Sequence, residues 1–122
     1  MTNQITVVYS YTDDDLENIL VTALEGGIGY WACLDNTRPE FAKQPDDMPT
    51  AAWCWKILCD CGSLHFLEEE GDEEWDMDMA DFYKGISRAI KNGDWDGDVD
   101  NVDALVADAI MQYAMLGSIV YG

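Results

Sequence analysis

The chain has 122 residues, with 25 Asp and Glu against six Lys and Arg, for a formal net charge of −19 at pH 7. That balance excludes direct binding to nucleic acid or to an anionic membrane surface, because like charges would meet. A hydrophobic fraction of 48% and five Trp oppose disorder, so one domain with a real core is expected over residues 1–122.

Residues 5–11 (ITVVYSY) are β-branched and aromatic, which predicts a strand. Thr12 then offers an N-cap, with Asp15 three residues on in a capping-box arrangement. The helix that follows, over 13–25, carries Leu16, Ile19, Leu20, Ala23 and Leu24 on one face and is stopped by Gly26 and Gly27. Residues 28–34 (IGYWACL) predict a second strand, and 35–50, with Pro39, Pro45 and Pro49, an exposed loop. Residues 51–60 alternate: Trp53, Trp55 and Ile57 against Cys54, Lys56 and Leu58, the pattern of another strand.

After Gly62 the pattern is a hairpin, starting at Leu64 and turning near Gly71 and Asp72. Its return strand, 74–79, places Trp75, Met77 and Met79 inward and Glu74, Asp76 and Asp78 outward, in a row spaced at ~6.6 Å. Asp78 can cap a helix over 79–91 whose apolar stripe is Phe82, Tyr83, Ile86 and Ile90. A last helix near 102–116 is apolar almost all round, so it is either central or half of an oligomer interface. Gly117 ends it, and residues 118–121 suggest a short edge strand. The expected architecture is α+β, a small antiparallel β-sheet packed against about three helices.

Charge is concentrated. Residues 68–78 (EEEGDEEWDMD) and 94–103 (DWDGDVDNVD) together hold 13 of the 25 carboxylates, and the only basic residues between them are Lys84, Arg88 and Lys91. Asp13, Asp14 and Asp15 form a third group, readable either as a helical first turn that suits the macrodipole or as a binding patch.

Residues 92–103 fit a twelve-residue calcium loop in part: Asn92, Asp94, Asp96, the turn Gly97, Asp100 and Asp103 fall at ligand or turn positions. Asn at the first position and Asp, a methylene short of Glu, at the last depart from that pattern. A solvated acidic loop in which Asp100 or Asn101 caps the last helix is the preferred reading. Cys54, Cys59, Cys61 and His65 are zinc-ligand types at an uncommon spacing, better read as buried thiols and an ordinary His. No cofactor is expected. With His65 the sole His and no Gly-rich phosphate loop, no catalytic residue is nominated and the chain reads as no enzyme. Trp95 is either a core residue or an exposed anchor for a partner. No signal peptide or membrane span is recognisable, and four Cys are too few for a secreted disulfide scaffold; a reducing cytoplasm is expected.

Two stretches, 22–31 (TALEGGIGYW) and 106–122 (VADAIMQYAMLGSIVYG), resemble small acidic proteins encoded by bacteriophages and prophages. The similarity runs loosely along most of the chain, through the KGI of Lys84, Gly85 and Ile86. Short acidic phage proteins of this kind look like anti-defence proteins, among them anti-CRISPR inhibitors that mimic DNA. The resemblance implies a partner with a basic DNA-binding groove, a CRISPR effector (Cas) subunit of a type I complex, inside an infected bacterial host.

On that reading the partner-binding residues are Glu68, Glu69, Glu70, Asp72, Glu73, Glu74, Asp76 and Asp78, then Asp94, Asp96, Asp98 and Asp100, with Asp13, Asp14 and Asp15 as a third patch. The chain would act as a monomer or a small homo-oligomer. Two alternatives are an EF-hand-like calcium module at 92–103, and a phage protein that binds a host factor through Met111, Met115 and the apolar C-terminal helix.

Overall fold

The computed structural model describes residues 1–122 as an α+β fold: four α-helices and one three-stranded antiparallel sheet. In chain order these are α1 (Asp13–Thr22), β1 (Ala32–Leu34), α2 (Thr50–Cys59), β2 (Leu64–Glu68), β3 (Glu74–Met77), α3 (Met79–Lys91) and α4 (Ala104–Leu116). The sheet order is β1-β2-β3, with Ala32 opposite Glu68 and His65 opposite Asp76. No helix is long and apolar enough to cross a membrane.

Three helix starts are fixed by carboxylates. Thr12 and Asp15 close a reciprocal capping box on α1, and Asp78 and Asp81 close another on α3. Asp103, rather than Asp100 or Asn101, caps α4 by accepting from the Val106 N–H at 2.9 Å. At the other end of α3, Arg88 and Lys91 lie in the last turn, where cations favour the helix dipole.

Helix α4 is central. Every residue from Ala107 to Tyr113 is buried, including Asp108 and Gln112. It packs most extensively on α3, and the approach is close because Gly85 has no side chain. A Cβ there would collide with the Ile110 carbonyl oxygen and lie 3.0 Å from the Ala114 nitrogen. One cluster of 22 buried residues draws on all four helices and the sheet, with Trp31, Phe66 and Phe82 its largest fully buried members.

Four expectations are corrected. Residues 51–60 are not a strand but α2: the buried set Ala51, Cys54, Trp55 and Leu58 recurs at the helical period, and Pro49 sits at the N-cap. The alternation of Trp53, Trp55 and Ile57 is only three positions long, too short to outweigh that repeat. Residues 5–11 have a strand composition but no strand to pair with, so they form no sheet. The second strand is confined to β1, because α1 continues through a π-helical turn (Ala23–Gly27) into a turn at residues 28–31.

The fourth is the C-terminal segment, which is not an edge strand. The Gln112 side chain holds it, accepting from the Val120 N–H at 2.8 Å and the Tyr121 N–H at 2.9 Å, and donating to the Tyr121 carbonyl at 3.1 Å. The Tyr121 ring then stacks on Trp31 with centroids 5.0 Å apart.

Candidate functional site

The first acidic run forms the β2–β3 hairpin. Glu69, Glu70, Asp72 and Glu73 are exposed around the turn. Glu68, half-buried, accepts from the Tyr121 hydroxyl and at 3.3 Å from the Glu73 N–H, which ties the turn to the C-terminal segment. On β3 the alternation holds at its centre, with Met77 buried, Trp75 half-buried, and Glu74 and Asp76 exposed. Asp78 and Met79 have left the strand, since Asp78 is already the cap of α3.

Glu74 and Asp76 are not free. The His65 ring lies between them, Nδ1 2.6 Å from Asp76 and Nε2 2.8 Å from Glu74. With a carboxylate at each nitrogen, the imidazolium form satisfies both contacts, and the hydrogen bonds it donates, first to Asp76 and then to Glu74, raise the His65 pKa. Arg38 reaches Glu74 at 4.0 Å and bonds Asp35 at 3.0 Å. The Thr37 hydroxyl and N–H, then Arg38, hold the Asp35 carboxyl below its ordinary range. The outer face of the sheet is therefore the one locally neutralised patch in the acidic run.

The second run stays exposed but ties most of its carboxylates into local hydrogen bonds. Asp94 accepts from the Tyr113 hydroxyl at 2.6 Å, and Asp96 accepts from the Asp98 N–H at 2.9 Å and from Asn101 Nδ2 at 2.6 Å. Asp98 accepts from the Asp100 N–H at 2.9 Å, leaving the Asp100 carboxylate in solvent. Gly97 adopts φ +85°, a left-handed conformation that favours glycine. Trp95 belongs to the core at 3% exposure, stacked on Tyr11 with its indole N–H donated to the Asp98 carbonyl at 2.9 Å. The carboxylates of 92–103 thus bond the loop's own backbone and neighbours instead of converging on a cation position.

No three His, Cys, Asp or Glu side chains anywhere in the chain are placed to hold one metal ion. Cys54 and Cys59 lie on α2 and Cys61 just beyond it: Cys54 is fully buried and its thiol pushed up to about 12 by burial, while Cys59 and Cys61 are exposed rather than the buried thiols expected. They do not share a strand face with Trp55 and Ile57, because no strand exists there.

Along α3, 13 residues long, the two runs stand about 20 Å apart at opposite ends of the helix. The first turn of α1 lies between them. Asp13 and Asp78 line one groove, beside Trp55 and Tyr83, and Asp15 and Asp100 line another beside Val102. Burial first, then Tyr9 and the carboxylates Asp15, Asp96 and Asp98, raise the Tyr11 hydroxyl. Three segments distant in sequence therefore bring carboxylates to the N-terminal end of α1. Of the 25 carboxylates, only Asp35, Asp60, Glu74 and Asp76 lie within 4 Å of a basic nitrogen.

Sequence reasoning missed Asp108, one of the few polar residues of α4. It is 7% exposed and accepts from the Tyr30 hydroxyl at 2.5 Å, the Trp31 indole N–H at 2.8 Å and Gln112 Nε2 at 3.0 Å. Burial and then Asp108 push the Tyr30 hydroxyl up to about 12. A lone Asp amid alanines and an isoleucine was the available signal. This cluster is a structural joint between α4 and the Tyr30–Trp31 turn, its buried polar atoms hydrogen-bonded while the Tyr30 ring stays half exposed.

Comparison with protein-family models, with curated proteins and with solved structures returned no match.

Proposed function

We propose that the protein is a non-catalytic inhibitor that imitates duplex DNA and blocks target-DNA binding by a CRISPR effector complex in a phage-infected bacterium. The observation that supports this most is the line of carboxylates that the first turn of α1 bridges from the α3 cap to the 94–103 loop, none of them paired with a basic side chain of the chain. B-DNA carries one charge per ~1.7 Å of axis, and the Lys and Arg that grip it are satisfied equally by carboxylates held in place. Caps and intraloop hydrogen bonds supply that rigidity. Complementary charge accelerates encounter and makes it sensitive to salt.

The reading that α4 docks a host factor loses support, since Met111 is fully buried and Met115 partly so. The calcium reading gains none from a loop whose carboxylates are bonded to its own residues.

The test uses carboxylates that make no side-chain bond in the fold: Asp13→Asn, Asp14→Asn, Glu73→Gln and Asp100→Asn combined. A pull-down from bacterial extract is expected to recover a DNA-binding complex, to be competed by added duplex DNA and to weaken steeply with salt. The quadruple variant is expected to lose the complex while keeping its circular dichroism spectrum. Capture indifferent to both DNA and the four amides would refute the proposal.

A further inference from the structure

Residues 1–10 are exposed throughout, and none of them makes a hydrogen bond of any kind. Yet the segment is seated at one end. Tyr11 stacks on Trp95 at 5.5 Å and donates to the Gly97 carbonyl at 2.6 Å, and the Tyr9 ring touches Gly97. Val7, Tyr9 and Tyr11 line a groove of about 510 Å³ completed by Tyr83, Ile86 and Ile90 of α3. Ile5 and Val8 remain 89% and 81% exposed. A β-branched run with unpaired N–H and C=O groups is a template for strand addition.

Charge selects the partner. Residues 1–12 carry no charged side chain, in a chain whose net charge is −19. Half of the chain's six basic residues, Lys84, Arg88 and Lys91, are exposed on one stripe of α3 and engaged in no ion pair; Lys91 lines the groove itself, while the Arg88 guanidinium lies by Gly117. Elsewhere a second copy would be repelled; here it meets an uncharged strand like its own and cations that its carboxylates complement. The carboxylates around that segment in each copy are Asp15, Asp96 and Asp98, the last two on the loop that seats Tyr9 and Tyr11. A two-fold axis presents the same segment from both sides, so the pairing is self-complementary.

We propose that residues 5–9 pair antiparallel with the same residues of a second copy, giving a two-fold dimer in which Lys84, Arg88 and Lys91 face carboxylates of the partner. Sedimentation of the full chain over a range of micromolar concentrations is expected to show a monomer–dimer equilibrium. The Ile5→Asp/Val8→Asp variant, altered only at exposed positions, is expected to stay monomeric with an unchanged circular dichroism spectrum. Reversing the stripe (Lys84→Glu/Arg88→Glu/Lys91→Glu) is expected to weaken association by about tenfold or more.

Hydrogen exchange locates the contact independently of any variant. Amides 5–9, unbonded in the single chain, should slow by at least about tenfold in the dimer. A chain that is monomeric at every concentration, or one that dimerises with these amides still unprotected, would overturn the proposal. So would a monomeric chain whose amides 5–9 become protected only on adding a bacterial extract, since the segment would then serve a different protein.

Discussion

His65 and Asp108 show how differently one carboxylate contact behaves at the surface and in the core. His65 bridges Glu74 and Asp76, which raises its folded pKa above the unfolded value of about 6.5. The stability this adds is present in full below about 6.5 and is lost as pH rises through the folded pKa. The melting temperature of the wild type minus that of His65→Gln should therefore be largest in mildly acidic buffer and shrink in alkaline buffer; a gap that grows with pH would contradict the bridge. Asp108 accepts three side-chain hydrogen bonds, and of the three donors the Trp31 indole N–H alone has no other partner. Asp108→Ala would strand the Trp31 indole N–H, and a loss of about 1–3 kcal/mol is expected from denaturant midpoints.

Among the elements, those announced by more than one signal were readable from the sequence. Helix α3 had a cap, an apolar stripe and basic residues in its last turn, and it spans Met79–Lys91 as expected. Helix α2 was misread because a short alternating run also satisfies the helical period, and only packing chooses between them. The segment at 5–11 was misread because strand composition says that a residue fits a pleated sheet, not that a neighbour exists. The carboxylate runs were legible as runs. Their assembly around α1, and the share of them bonded within the fold, depended on contacts between segments some 60 to 85 residues apart along the chain. Two substitutions probe the elements directly. Gly85→Ala should push α3 from α4 and cost about 1–3 kcal/mol. Asp78→Asn should leave thermal stability nearly unchanged, within about 0.5 kcal/mol, because Asn caps as well as Asp.

For the molecule as a whole, the outstanding quantity is self-repulsion. With so few internal ion pairs, a net charge of −19 opposes compactness, and moderate salt should raise the melting temperature by screening it. The same salt should weaken binding to a basic groove, so stability and affinity are expected to move in opposite directions as ionic strength increases. The C-terminal segment adds a constraint on timing. Gln112 seats residues 120 and 121, and Tyr121 in turn anchors Glu68 at the hairpin turn. A nascent chain from which Tyr121 has not yet emerged has its hairpin untethered, so that turn is locked only once residues 120 and 121 are free to fold back, and a product truncated before them would display it unfastened.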